Sequence, residues 1–180
     1  MNKIDRFRSL AKRIVDLSSD FRLRDPDSYV RWYGHSHSRP DLLPGAVYGM
    51  PELHRNLLPD ASLVAGCGCN ATATILALKP LVDEGLVNQV VVEIKAGSSE
   101  GGNEASSASH HPERAGSVRS YKPTGHRHQA EMLQELNHEL DLSFSATAVE
   151  LVRGILATAH VFLSKVVDEK AIWRLFREAY

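Results

Sequence analysis

The chain has 180 residues, with 21 Lys+Arg against 22 Asp+Glu for a formal net charge of −1, and 43% of its residues are hydrophobic. That is enough apolar material for one sizeable core, while the near-neutral balance, without a block of five like charges, excludes a broad basic face for nucleic acid and an acidic solvating tail. No apolar run approaches the roughly 18 residues of a membrane-spanning helix and no signal-peptide core precedes a small-residue cleavage site, so a cytoplasmic protein without nucleic-acid or membrane partners is expected.

Ile4, Phe7, Leu10, Ala11 and Ile14 form one apolar helical stripe among basic residues and predict a surface helix. A basic amphipathic N-terminus also suits a transit peptide, but this one runs directly into a strand-like segment, Arg13-Ile14-Val15-Asp16-Leu17. From Asp25 to Leu58 turn formers dominate, in Asp25-Pro26-Asp27, Arg39-Pro40-Asp41, Leu43-Pro44-Gly45 and Met50-Pro51-Glu52, and connecting structure is expected. A buried strand is predicted at Ser62-Leu63-Val64-Ala65. Then follow a glycine turn, Gly66-Cys67-Gly68-Cys69-Asn70, and a helix whose apolar face uses Ala73, Ile75, Leu76, Leu78 and Leu81.

This order places Cys69 where a helix begins. Unpaired backbone N–H groups and the helix dipole favour an anion there, and a cysteine pKa near ~8.5 can fall to roughly 3.5–7.5 in such a position. Cys69 is therefore a candidate nucleophile, the alternative being a small buried hydrophobe at a helix start. With one residue between them, Cys67 and Cys69 make a poor disulfide framework, and reduced thiols are expected.

Val90 to Ala96 reads as a strand, ending in a hydroxyl-rich turn from Gly97 to Asn103 that includes Ser98 and Ser99. Between His110 and Glu131 the chain concentrates His110, His111, Arg114, Arg119, Lys122, His126, Arg127 and His128 against Glu113 and Glu131 alone. This excess of cationic donors suits an anionic substrate group, and equally a solvated loop. Further on come a helix with Met132, Leu133, Leu136 and Leu140, strands at Leu142–Val149 and Gly154–Phe162, and a final helix capped by Asp168 with Ile172, Leu175 and Phe176 on one stripe. The alternation is of the α+β kind, and the chain reaches Tyr180 without a Gly or Pro stop signal, which reads as a C-terminus cut rather than finished.

Several blocks resemble the N-acetyl-γ-glutamyl-phosphate reductase family, and most closely its branch acting on aminoadipyl or glutamyl phosphate attached to an amino-group carrier protein. They are Val15-Asp16-Leu17-Ser18-Ser19-Asp20-Phe21-Arg22, Tyr48-Gly49-Met50-Pro51-Glu52-Leu53, Ser109-His110-His111-Pro112-Glu113-Arg114, Tyr121-Lys122-Pro123-Thr124-Gly125-His126-Arg127-His128 and Leu151-Val152-Arg153-Gly154. The family's cysteine signature appears as Ala65-Gly66-Cys67-Gly68-Cys69-Asn70-Ala71-Thr72 through Pro80, with Cys67 where the family usually has proline. That exchange removes a rigid φ restraint and adds a second thiol beside the nucleophile.

The resemblance implies a glyceraldehyde-3-phosphate dehydrogenase-like fold of α/β plus α+β class. Residues 1 to 68 would be the C-terminal part of a Rossmann nucleotide domain, and residues 69 to 180 a catalytic and dimerisation domain, incomplete at its C-terminus. It also implies NADPH-dependent reduction of an acyl phosphate in lysine or arginine biosynthesis, in which the Cys69 thiolate attacks the carbonyl, phosphate leaves and hydride reduces the thioester to a semialdehyde. His126 or His128 would relay the proton, oriented by Glu131, with only one of the two facing the thiol if the segment is extended. Arg114, Arg119, Lys122 and Arg153 would meet phosphate or carboxylate, with Ser98 and Ser99 as hydroxyl donors, and a homo-oligomer and an acidic carrier protein are the implied partners.

The dinucleotide's usual Gly-x-x-Gly-x-x-Gly loop does not occur before residue 15. An alternative reading is therefore a truncated or split product that keeps the nucleophile and oligomer surface and acts as a partner subunit or remnant. A zinc module built on the two cysteines and the histidine pairs fits poorly, because Cys67-x-Cys69 has a single spacer and no second thiol pair; no metal is expected.

Overall fold

A computed structural model describes residues 3–102, 106 and 110–180, so Asn103 and Ser109 of the loop and histidine blocks lie outside the described residues. Two compact units divide the chain between Gly68 and Cys69. The first contains α1 (Ile4–Leu10), β1 (Ile14–Asp16), α2 (Pro26–Tyr33), β2 (Ala46–Tyr48), α3 (Pro51–His54) and β3 (Leu63–Ala65). The second contains α4 (Cys69–Asp83), β4 (Val87–Ala96), α5 (His111–Arg114), β5 (Arg119–Lys122), α6 (His128–Glu135), β6 (Asp141–Ala148), β7 (Ile155–Leu163) and α7 (Glu169–Ala179).

In the first unit, three parallel strands lie in the order β1-β3-β2, with Ile14 and Ala46 both in register with Leu63. Their chain order puts all three carboxyl ends on one side. Two glycines there permit close strand contacts: a Cβ on Gly49 would meet the Ala65 carbonyl oxygen at 2.9 Å, and one on Gly66 the Asp16 carbonyl oxygen at 3.2 Å. The first helix stops at Leu10, so Ile14 belongs to β1 and not to the helical stripe expected of it.

The segment from Asp25 to Leu58 is more ordered than its turn formers suggested. Asp25 caps α2 by accepting from the Asp27 and Ser28 N–H groups, Pro26 occupies the first turn, and Gly34 at φ +76° ends the helix. Tyr29 at its centre is fully buried, its hydroxyl donating to the Asp20 carbonyl at 2.8 Å and accepting from the Leu23 N–H at 3.1 Å. Proline at the first turn starts this helix instead of marking a turn.

The second unit is a four-stranded mixed sheet in the order β5-β6-β4-β7, with β4 parallel to β6 and antiparallel to β7. Strict alternation along β4 buries Val90, Val92, Ile94 and Ala96 completely, in a core with Ala71, Ile75 and Leu78 of α4 and Met132 of α6. The opposite face leaves Val91, Leu156, His160 and Phe162 exposed, around a Lys95–Glu93 ion pair at 2.8 Å. β5 was not anticipated, and Leu140 lies beyond the end of α6 instead of on its stripe.

Pro80 sits inside α4 and supplies no N–H to the Leu76 carbonyl one turn earlier. The Tyr180 hydroxyl donates to that carbonyl at 2.9 Å, replacing the missing backbone donor. Asp168 caps α7 by accepting from the Ala171 N–H at 2.9 Å, as its position before the apolar stripe suggested. Among the described residues no helix is long and apolar enough to cross a membrane.

Candidate functional site

Cys69 is the first residue of α4 and is exposed, whereas Cys67 is half-buried; neither is in a disulfide. The first four N–H groups of a helix have no intrahelical acceptor, so a sulfur at this position lies where negative charge is favoured. Its neighbour Asn70 is completely buried. The Cys69 Sγ donates to Asn70 Oδ1 at 3.9 Å, Asn70 Nδ2 donates to the Tyr121 hydroxyl at 3.5 Å, and that hydroxyl donates to Glu100 Oε2 at 2.7 Å. Burial, with the Glu100 carboxylate bonded beside it, raises the Tyr121 pKa, so the phenol stays protonated.

His126 and His128 are both buried, at 9% and 6% exposure, with rings 4.6 Å apart in edge-to-face contact. The expectation that one faces each way fails because Arg127 is helical, not extended, and the His128 N–H turns back to donate to His126 Nδ1 at 3.1 Å. That bond leaves the neutral ring's proton on Nε2. Burial pushes the His126 pKa down to about 4, helped by the Arg127 and Lys122 charges. His128 opens α6 and its Nε2 lies 3.9 Å from Oε1 of Glu131, whose side chain is fully buried one turn along.

The loop after β4 is pinned to residues 151–154. Gly97, Ser98 and Ser99 donate their N–H groups to the Gly154, Leu151 and Val152 carbonyls at 2.9–3.0 Å. A Cβ on Gly97 would strike the Leu151 carbonyl oxygen at 2.9 Å and the Arg153 nitrogen at 3.0 Å, so the approach requires glycine. The Ser98 hydroxyl lies 3.1 Å from His111 Nδ1 and is buried, while Ser99 is exposed.

The predicted cations separate. Arg119, Lys122, Arg127 and Arg153 are exposed, but Arg114 is buried at 4% exposure and donates to the Ala96 carbonyl at 3.1 Å, anchoring the end of β4 instead of offering an open anion site. Sequence reasoning missed Asn70, Tyr121 and Glu100. Each stands in a segment singled out for another residue, and the Asn70–Tyr121 bond joins residues 51 apart in sequence. Among the described residues no group of three His, Cys, Asp or Glu is placed to hold a metal ion.

Residues 69–180 match the family described as semialdehyde dehydrogenase, dimerisation domain. A protein of Thermomicrobium roseum, provisionally named (LysW)-L-2-aminoadipate 6-phosphate reductase, is 52% identical over 98% of this chain and 52% of its own length. The (LysW)-L-2-aminoadipate 6-phosphate reductase of Deinococcus radiodurans is 47% identical over 99% of the chain and 52% of that protein. The chain thus spans about half the length of the curated relatives it matches. Among solved structures, aspartate semialdehyde dehydrogenase from Francisella tularensis superposes with a TM-score of 0.68 at 12% identity, covering 99% of this chain and 59% of that one. The fold is therefore the glyceraldehyde-3-phosphate dehydrogenase-like one expected from the sequence, and the resemblance to the carrier-linked reductase branch holds at about half identity over nearly the whole chain. By the match of its second unit, the chain belongs to the semialdehyde dehydrogenase family.

Proposed function

We propose that this chain carries the acyl-transfer centre of an acyl-phosphate reductase acting on carrier-bound aminoadipyl or glutamyl phosphate, or on N-acetylglutamyl phosphate. The observation that carries the reading is Cys69, an exposed residue at the first position of α4, in the unit that also buries the two histidines and Glu131. The thiolate attacks the acyl carbonyl, the carbon–oxygen bond to phosphate breaks, and inorganic phosphate leaves a Cys69 thioester. His128, paired with Glu131, is the residue we assign to proton transfer at the acyl oxygen, because a carboxylate beside an imidazole stabilises its protonated form. His126, held neutral and tied to the backbone, packs that ring in place.

Reduction of the thioester to the semialdehyde would need a hydride, the chemistry that NADPH would supply if bound. The residues present do not form its phosphate cradle. The 180-residue sequence has no Gly-x-x-Gly-x-x-Gly segment, and Gly49 and Gly66 at the strand ends are filled by neighbouring backbone. No step of the acyl transfer depends on it. In this reading residues 1–68 are the C-terminal part of the nucleotide domain and residues 69–180 the catalytic and dimerisation domain, which pairs with a second copy. A carrier with an acidic surface would meet exposed Arg119, Lys122 and Arg127, an encounter that salt weakens.

The test is acylation of the chain by a small acyl phosphate, followed by intact mass and peptide mapping. One acyl group on Cys69, absent in Cys69→Ser and reduced at least tenfold in rate in His128→Gln, is the expected result. Label on Cys67, or none, would overturn the assignment.

A further inference from the structure

The polar chain running from Cys69 to Glu100 has a direction that donor and acceptor chemistry fixes. Glu100 is a carboxylate and only accepts, so the Tyr121 hydroxyl spends its single proton on Glu100 Oε2 at 2.7 Å. The same hydroxyl can then only accept from Asn70, which turns the Asn70 NH2 group toward Tyr121 at 3.5 Å and its carbonyl oxygen toward the Cys69 sulfur. With Asn70 wholly buried, the carboxamide has no water to compete for its orientation. The sulfur beside it meets an acceptor, which a thiol satisfies and a thiolate repels.

We propose that Tyr121 is a positioning residue: held by Glu100, it fixes the Asn70 carboxamide with its oxygen toward Cys69, so that the resting sulfur is kept as a thiol against the pull of the helix N-terminus. The proposal rests on Cys69 being the nucleophile of the reductase reading and adds a reason why that nucleophile is quiet before substrate arrives. Removing the Tyr121 hydroxyl or its Glu100 acceptor frees the carboxamide to rotate and present NH2 to sulfur, which favours the thiolate. The elements packed against α4 bring other ionisable groups. α6 carries His128, paired with Glu131, and α7 brings Tyr180, bonded to the Leu76 carbonyl two turns from Cys69. His160 of β7 stands in register with Val91, on the sheet face turned away from the buried core. None of them donates to or accepts from the Asn70 carboxamide in the bonds that fix its direction.

The experiment is pH-dependent labelling of Cys69 by a small thiol reagent, on the 180-residue chain in a Cys67→Ser background. Tyr121→Phe should move the labelling midpoint down by about one pH unit, giving about tenfold more thiolate at a fixed pH below it. Glu100→Ala, a half-exposed site whose change leaves the core intact, should move it the same way and guards against a Tyr121→Phe chain that fails to fold. Asn70→Ala should lower the midpoint on its own, and adding Tyr121→Phe to it should shift it no further, because the hydroxyl acts only through the carboxamide. A folded Tyr121→Phe or Glu100→Ala chain with an unmoved midpoint overturns the proposal, as does a second full shift on top of Asn70→Ala. Acylation by acyl phosphate, measured on the same samples, separates the two readings: shifted midpoints without acylation of Cys69 would keep the positioning role and sink the reductase.

Discussion

A histidine whose pKa is pushed down to about 4 is a group that folding keeps uncharged, and for His126 the cause is burial reinforced by Arg127 and Lys122. The folded value lies below the ordinary 6.5, so between those limits the unfolded chain binds the proton more readily than the folded one. Stability from this site is full above about pH 6.5 and drains away as pH falls toward 4, a loss on the order of 2–3 kcal/mol. Urea unfolding at pH 7 and pH 4.5 should show a steeper loss for the parent chain than for His126→Asn; equal losses would exclude His126 as the source. At this scale the helix start at Cys69 was legible in the sequence, because a glycine turn and the apolar period that follows it are neighbours in the chain. The sequence disclosed Tyr121 and Glu100 poorly. Their bond joins residues 21 apart in sequence, and nothing in either one's local pattern announces the other.

Among the elements, the meeting of Gly97–Ser99 with Leu151–Gly154 explains why two short blocks far apart in sequence belong together. Three N–H groups of the first segment reach three carbonyls of the second, and Gly97 allows the approach by having no side chain. Gly97→Ala should force the backbones apart, costing about 1–3 kcal/mol in urea unfolding, and should speed amide exchange at Ser98 and Ser99. An alanine variant of parental stability would show that the loops can separate at no cost. The long elements α4, β4, β6 and β7 were readable from period and composition. The elements α2, α5 and β5 were not, since the four residues of α5 and of β5 give too little period to count, and proline and aspartate at the start of α2 read as turn formers until their capping role is seen.

For the molecule as a whole, the uncovered sheet face carries the strongest consequence. Leu156 at 59% and Phe162 at 55% exposure flank the Lys95–Glu93 pair, an apolar rim around a satisfied polar centre. If a second copy covers this face, Phe162→Glu with Leu156→Glu should drop the sedimentation mass from dimer to monomer while each chain keeps its helical circular dichroism. A mass that does not change would place any dimer contact elsewhere. The division given for the domains came from the family resemblance and not from period or composition, and the open face was not legible in the sequence either, since strands with one uncovered side and strands with two buried sides share much of their composition. Finally, the hydroxyl that Tyr180 lends to the carbonyl bereft of a donor by Pro80 ties the C-terminal cap of α7 to the helix that Cys69 opens. Undocking of α7 therefore hands the Leu76 carbonyl back to solvent, a change on the order of 1 kcal/mol.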